Sequence, residues 1–307
     1  MTPATPGPGP GDRTTVGPDG EVAEVAGVDP EVDRRRHVSD YFRLERWELP
    51  PGPTGEDGPP AMAGRTPVDA HLRGPGGGLR TGGLLTSIDS LGGFTSGLAV
   101  LPRWIVTTSL MATVSELTHV GPLRLRADVL RRGRNSVVTA LDVVDEGASD
   151  RHVAAATLTC AVLDPDAMTL EFERPFVLAM PEPQVDPAPP EEFFCIEPGE
   201  GPVTRLRLED QLRNPWGILH GGAVAMLADE AACRAALAAV PGAGSAHGVA
   251  ATDVVLHYLR PVKVGPVEAR CTVLGTRSGR TTVRVAVHDV GSDDRLVTLG
   301  SVTVLAV

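Results

Sequence analysis

A basic excess is missing from this sequence, whose formal net charge is −11 at pH 7. General binding to nucleic acid or to an anionic membrane, which needs a basic field, is therefore disfavoured, while a local patch for a phosphate is not. Long apolar runs are missing too, since none approaches the roughly 20 residues that span a bilayer. The four cysteines, Cys160, Cys195, Cys233 and Cys271, have no close metal-ligand pairing and read as small core or near-core side chains. No charged-then-apolar leader opens the chain, and no P-loop, zinc-ligand spacing or serine-centred nucleophile elbow occurs. The expectation is a reduced, cytoplasmic protein without a metal. What is present is 307 residues with 42% hydrophobic content, enough for two ordinary domains with substantial cores.

The most informative stretch runs from Asn214 to Ala231, through His220, Gly221 and Gly222, into an alanine-rich pattern. Val224, Leu227, Ala228, Ala231, Ala232 and Ala235 keep the three-to-four spacing of a buried helical face, and Pro241-Gly242 supplies a stop. At the other end the paired glycines leave the first backbone N–H groups uncovered, so the positive end of the helix can meet a ligand oxygen. That is the geometry of an oxyanion hole.

An earlier stretch has the same layout. Gly82-Gly83 leads into a helical pattern with Leu84, Leu85, Ile88 and Leu91 on one face, and matching Gly82 to Gly222 puts Asp89 on Asp229. Val120-Gly121-Pro122 recurs as Val264-Gly265-Pro266 before similar alternating runs, Leu123 to Val129 and Val267 to Val273, which predict half-buried strands. Each half thus reads as a strand, a glycine turn, a long helix and about four strands. In the second half those strands fall near 248–260, 266–276, 280–289 and 295–307. Short connections favour an antiparallel sheet, and the apolar helix is what such a sheet buries. The expected organisation is a disordered tail at 1–36, a unit at 37–170, a Pro-rich linker at 171–190 and a second unit at 191–307. Tyr41 to Leu49 reads as an exposed strand, and residues 50–66 as a surface loop.

Asn214, His220, Gly221, Gly222, Leu227 and Asp229 together resemble the signature of the PaaI-type acyl-CoA thioesterases of the hotdog superfamily. The resemblance implies an α+β fold of two tandem hotdog units, each an antiparallel sheet wrapped around a long central helix. It also implies a site built between the units. Gly221 and Asp229 are eight residues apart, about 12 Å along a helix axis, so one thioester cannot easily touch both. The Gly221 site should then receive Asp89, and the reciprocal site should combine Gly82 with Asp229. The first half has Arg80, Thr81 and Gly74 where the second has His220, Gly221 and Asn214, so its loop departs from the family pattern.

On the same resemblance the Gly221 N–H, supported by Gly222, polarises the thioester carbonyl, and Asp89 acts as nucleophile or as general base. Asn214 orients the thioester or the water. His220 braces the loop or Asn214, or is merely a loop-packing residue. Asp229 is either a second catalytic carboxylate or a partner for a nearby arginine. The hydroxyl that the family places before the central-strand Asp is absent at Ala251; Thr107 either supplies it or is an ordinary strand former. Arg260 and Lys263, in a Tyr-Leu-Arg-Pro edge, either meet the phosphates of coenzyme A or form a solvated basic edge. The expected activity is hydrolysis of an acyl-CoA or an acyl-carrier-protein thioester, with coenzyme A part of the substrate and no separate cofactor. No nucleic-acid or membrane partner is expected, and a homo-oligomer of double-hotdog chains is left open. The alternatives are a non-catalytic acyl-thioester-binding protein and a hotdog dehydratase or lyase.

Overall fold

The computed structural model describes residues 12–16, 22–26, 37–50, 60–164, 174–239 and 248–307. β1 (Asp12–Val16) and β2 (Val22–Ala26) form a two-stranded antiparallel sheet of their own. A first unit follows: α1 (Val38–Tyr41), β3 (Glu45–Glu48), β4 (Ala61–Thr66), α2 (Thr81–Leu98), and the strands β5 (Trp104–Val114), β6 (Leu123–Arg132), β7 (Ser136–Asp145) and β8 (Arg151–Leu163). After β9 (Val177–Leu178) the order repeats as α3 (Pro190–Phe193), β10 (Ile196–Pro198), β11 (Val203–Leu206), α4 (Gly221–Ala239), β12 (Val249–Tyr258), β13 (Val267–Arg277), β14 (Arg280–Asp289) and β15 (Arg295–Ala306).

Period-two alternation turns one sheet face inward. Leu123, Leu125, Ala127 and Val129 of β6 are buried, as are Val283, Val285 and Val287 of β14. The two units do not keep separate sheets: β5 pairs with β12, giving one antiparallel sheet of 13 strands. The pseudo-two-fold axis passes through the Met111–Val255 pair, and both central strands shift register at matching places, Thr107/Ser109 and Ala251/Asp253. A polar device repeats as well. Asp145 accepts the Gly121 N–H at 2.8 Å, and Asp289 accepts the Gly265 N–H at 2.8 Å.

Two long helices fill the concave side. Leu84, Leu85, Ile88 and Leu91 of α2 and Leu227 of α4 are fully buried, each contributing about 1.5–3 kcal/mol of apolar burial. Small residues let the helices touch backbone to backbone near their starts. A Cβ on Gly82 would lie 2.7 Å from Met226 Sδ and 3.0 Å from its Cα, and one on Gly222 would lie 2.8 Å from Thr86 Cα. The Thr86 hydroxyl donates to the carbonyl oxygens of both Gly82 and Gly222, at 2.7 and 2.9 Å. This crossing sets the first turn of each helix beside the middle of the other.

Several local expectations change. Tyr41 does not begin an exposed strand: it closes α1, fully buried and stacked 4.0 Å from Phe193. The 50–66 loop gives way at Ala61–Thr66 to β4, because Met62 and Ala63 supply a core face. Residues 174–190 of the linker do more than connect, since β9 pairs with β3 and Tyr41 donates to the Ala188 carbonyl. Val273 ends exposed, where β13 runs beyond the helix. Within the expected tail the described residues are those of β1 and β2; the rest of it, and the Pro241-Gly242 stop, lie outside the described residues. No helix among the described residues is long and apolar enough to cross a membrane.

Candidate active site

Asp89 sits in the middle of α2, 5% exposed, facing the first turn of α4. A Cβ on Gly221 would lie 2.7 Å from Asp89 Oδ2, so only glycine lets the carboxylate come this close to the helix start. Thr107, on β5, donates to Oδ1 at 3.0 Å, and the Gly222 N–H also points at the carboxylate. Burial pushes the Asp89 carboxyl up to about 6, with the Thr107 and Gly222 donors pulling the other way. Gly221 N–H opens α4 and makes no hydrogen bond among the described residues. An unpaired helix-start N–H beside a basic carboxylate can hold a carbonyl oxygen while a proton moves next to it.

His220 adds a third group. Its Nδ1 accepts the Gly222 N–H at 3.0 Å and lies 3.3 Å from Asp89 Oδ2. That approach is not an ion pair, because burial and then Arg46 lower His220 to about 4 and leave it neutral. With Nδ1 accepting from Gly222, His220 donates no hydrogen bond to Asp89 through that nitrogen. His37, at the start of α1, stands edge-on to His220 at 5.9 Å and bonds through Nε2 to the Arg213 carbonyl at 3.0 Å. Burial, then His220, lowers His37 to about 4 as well. The Tyr258 hydroxyl donates to the Gly221 carbonyl at 3.1 Å, and burial raises it far above its usual range. Tyr258 and His37 were not legible as site residues: one is the unremarked start of a strand-end motif, the other a single histidine without a pattern.

Asn214 is engaged through the oxygen of its amide. Its Oδ1 accepts the backbone N–H groups of Trp216 and Ile218, at 3.0 and 3.3 Å, so it closes its own loop. No hydrogen bond joins it to His220 or Asp89 among the described residues. The loop also docks Trp216 onto Trp104, 5.0 Å between ring centres. Arg260 and Lys263 are exposed; Arg260 donates to the Leu296 carbonyl and neither reaches Asp89.

The reciprocal arrangement exists. Asp229, 3% exposed, accepts the Gly82 N–H at 2.8 Å, and burial raises it to about 6 despite Arg80. Its surroundings differ. Arg80, in the place of His220, is tied to Glu191 and, at 3.2 Å, to Glu230. Thr81, in the place of Gly221, donates to the Ala251 carbonyl at 2.8 Å. Ala251, in the place of Thr107, offers no hydroxyl. A cleft nevertheless opens here, lined by Gly76, Arg80, Thr81, Leu117, Asp229 and Cys233 among others. Among the described residues no group of three or more His, Cys, Asp or Glu side chains is placed to hold a metal ion.

Residues 217–295, which hold His220, Gly221 and Asp229, match a family model described as the thioesterase superfamily. No curated protein matches the chain. Among solved structures it is similar to the tesB protein of Mycobacterium avium subsp. paratuberculosis, at 12% identity and TM-score 0.55, over 80% of this chain and 92% of that one. It is also similar to the acyl-CoA thioesterase II TesB2 of Mycobacterium marinum, at 13% identity and TM-score 0.53, over 88% and 98%. The chain therefore has the double-hotdog fold, and its second unit carries the match to the thioesterase superfamily.

Proposed function

We propose that this protein hydrolyses an acyl thioester, of coenzyme A or an acyl carrier protein, at the composite site of Asp89, Thr107, His220 and Gly221, in the manner of PaaI-type enzymes. One observation carries the reading: a buried carboxylate raised to about 6 lies against the glycine start of the opposite unit's helix, whose first N–H is unpaired among the described residues. A carboxylate of that basicity is ionised at neutral pH and still a competent base. Asp89 takes a proton from water as the hydroxide adds to the thioester carbon. The carbonyl oxygen gains charge on the Gly221 N–H, assisted by the positive helix end. The C–S bond then breaks and Asp89 returns the proton to the leaving thiolate. Thr107 and the Gly222 N–H hold the carboxylate, His220 fixes the Gly222 N–H, and Asn214 shapes the loop that presents them. Arg260 and Lys263, on the exposed edge, suit the phosphates of a carrier.

A second reading assigns the chemistry to Asp229, because the cleft opens on that side. It is the weaker one: the hydroxyl partner is missing at Ala251, and Arg80 is already neutralised by two glutamates. Free-thiol release from a panel of acyl-CoA esters tests the activity. Turnover that disappears in Asp89→Asn and survives in Asp229→Asn supports the first reading; absence of turnover on every ester would overturn both.

A further inference from the structure

Burying a guanidinium without a carboxylate beside it is costly, so an inward-facing arginine in that state calls for a partner from elsewhere. Arg46 is half-buried, with the Nε of its guanidinium fully enclosed. On β3 it shares the inward side with Leu44, whereas Glu45 and Trp47 of the other side meet Arg65. Its Nη2 donates to Ser39 Oγ at 3.4 Å, and its Cζ lies 5.6 Å from the Phe94 ring centre. Its Nε is buried and has no hydrogen-bond partner among the described residues, and no carboxylate there pairs with it. Burial lowers Arg46 to about 10, only partly opposed by Asp40.

A second unpaired group belongs to the same region. Ser90, adjacent to Asp89 and one turn before Phe94 on α2, is buried with its Oγ unpartnered among the described residues. Polar contacts lead from Arg46 to the reacting groups: Ser39 Oγ is 3.3 Å from His37 Nδ1, His37 stands 5.9 Å from His220, and His220 lies 3.3 Å from Asp89. Phe94 and Phe176, 4.3 Å apart, add an apolar wall beside the guanidinium.

We propose that Arg46 and Ser90 receive an anionic end of the acyl group, so that the preferred thioester carries a carboxylate on a short acyl chain. The proposal rests on the Asp89–Gly221 site being the thioester site. A carboxylate there accepts charge-assisted hydrogen bonds from Arg46 and a further one from Ser90, and the chain between it and the thioester runs along the phenylalanine wall. Phe94 is five residues beyond Asp89, about 7.5 Å along the helix axis, which suits a short dicarboxylic half-thioester. Carrier phosphates offer the same anionic chemistry. They are multiply charged and hydrated, and belong with the exposed Arg260 and Lys263 rather than at a buried Nε.

The test compares glutaryl-CoA with pentanoyl-CoA, equal in carbon count, and both acyl groups as N-acetylcysteamine thioesters, which lack phosphates. The wild type is expected to prefer glutaryl by at least about tenfold in kcat/KM on either carrier, a difference of about 1.4 kcal/mol. Arg46→Met should bring the glutaryl-to-pentanoyl ratio of kcat/KM to about one, and Arg46→Lys should keep part of the preference. Equal wild-type rates, an equal loss on both esters in Arg46→Met, or a loss confined to the coenzyme A esters would overturn the proposal. Calorimetric binding of non-hydrolysable glutaryl and pentanoyl thioether analogues separates it from the hydrolase reading. Arg46-dependent preference for the glutaryl analogue without turnover of any ester would keep the anion site and reject hydrolysis; turnover without a preference would do the reverse.

Discussion

The two helix crossings of this chain share a backbone and differ in side chains. In each, a buried aspartate meets a glycine N–H at the start of the opposite helix. The loops before the helices also agree: Gly77 N–H bonds to the Gly74 carbonyl and Gly217 N–H to the Asn214 carbonyl, both at 2.9 Å. At the first crossing Asp89 has a hydroxyl donor, a neutral imidazole and an unpaired helix-start N–H. At the second, Asp229 has an alanine, a salt-bridged arginine and a threonine tied to backbone. Small residues and strand alternation fix the frame, whereas three substitutions set the surroundings of the two aspartates apart.

The sharpest way to break that contrast is at the helix start. Gly221→Ala would put a methyl 2.7 Å from Asp89 Oδ2, and we expect at least about a hundredfold loss in kcat/KM with the fold intact, from displacement of the carboxylate. The other crossing already carries Thr81 there. A kinetic assay beside circular dichroism checks this; near-normal turnover would mean that the Asp89–Gly221 contact is incidental.

Thr107→Ala makes the first crossing resemble the second. Removing the 3.0 Å donor to Asp89 should cost about tenfold in kcat/KM, within the range for a positioned hydrogen bond, and move the acid limb of the pH profile upward, because that donor favours the ionised form.

At the second crossing the expected effect is on stability. Arg80→Met leaves the buried Glu230 without its interhelical partner, although Arg234 still reaches it at 2.6 Å. A loss of about 1–3 kcal/mol is expected, below the range for a fully buried pair because Arg80 and Glu191 are partly exposed. Turnover should stay within about threefold. Denaturant melts and kinetics on the same sample test both statements.

The smallest effect concerns pH. Asp89 and Asp229 hold protons more tightly folded, at about 6, than unfolded, at 3.8. The stability they contribute is full below 3.8 and lost as pH rises through about 6. His37 and His220, lowered from 6.5 to about 4, act in the opposite sense: their contribution is full above 6.5 and lost as pH falls through about 4. The wild-type curve therefore mixes both, and Asp229→Asn isolates one carboxylate. Between pH 4 and 6 the slope of its melting temperature against pH should be more positive than that of the wild type; an identical slope would show that Asp229 is not raised.

Much of this frame was legible in the sequence, for physical reasons. Repeats at glycine turns and period-two alternation record backbone geometry, so the starts of both helices and the bounds of the four strands of the second unit fell within a few residues of those observed. The roughly 12 Å between Gly221 and Asp229 on one helix pointed to a carboxylate from the other unit, and Asp89 does lie against Gly221. What could not be read depends on contacts made across long sequence separations. His37 approaches the site because α1 meets the opposite unit's loop at Arg213, and Arg46 because β3 sets it beside Ser39 and Phe94; neither lies in a periodic pattern. The joining of the two sheets at β5 and β12 was hidden similarly, since nothing in a strand's own alternation names its neighbour. The turn that Asn214 closes could not be read either, because a motif gives a residue's position and not the direction of its amide.

The most direct test of the account is kcat for Asp89→Asn and Asp229→Asn, measured side by side on one acyl-CoA ester with the melting temperature of each. Asn keeps the shape and the hydrogen-bond acceptor but loses the basicity. Asp89→Asn is expected to lose at least about a hundredfold in kcat while remaining folded, and Asp229→Asn to stay within about threefold. An inactive Asp229→Asn beside an active Asp89→Asn would move the chemistry to the other crossing and contradict the account.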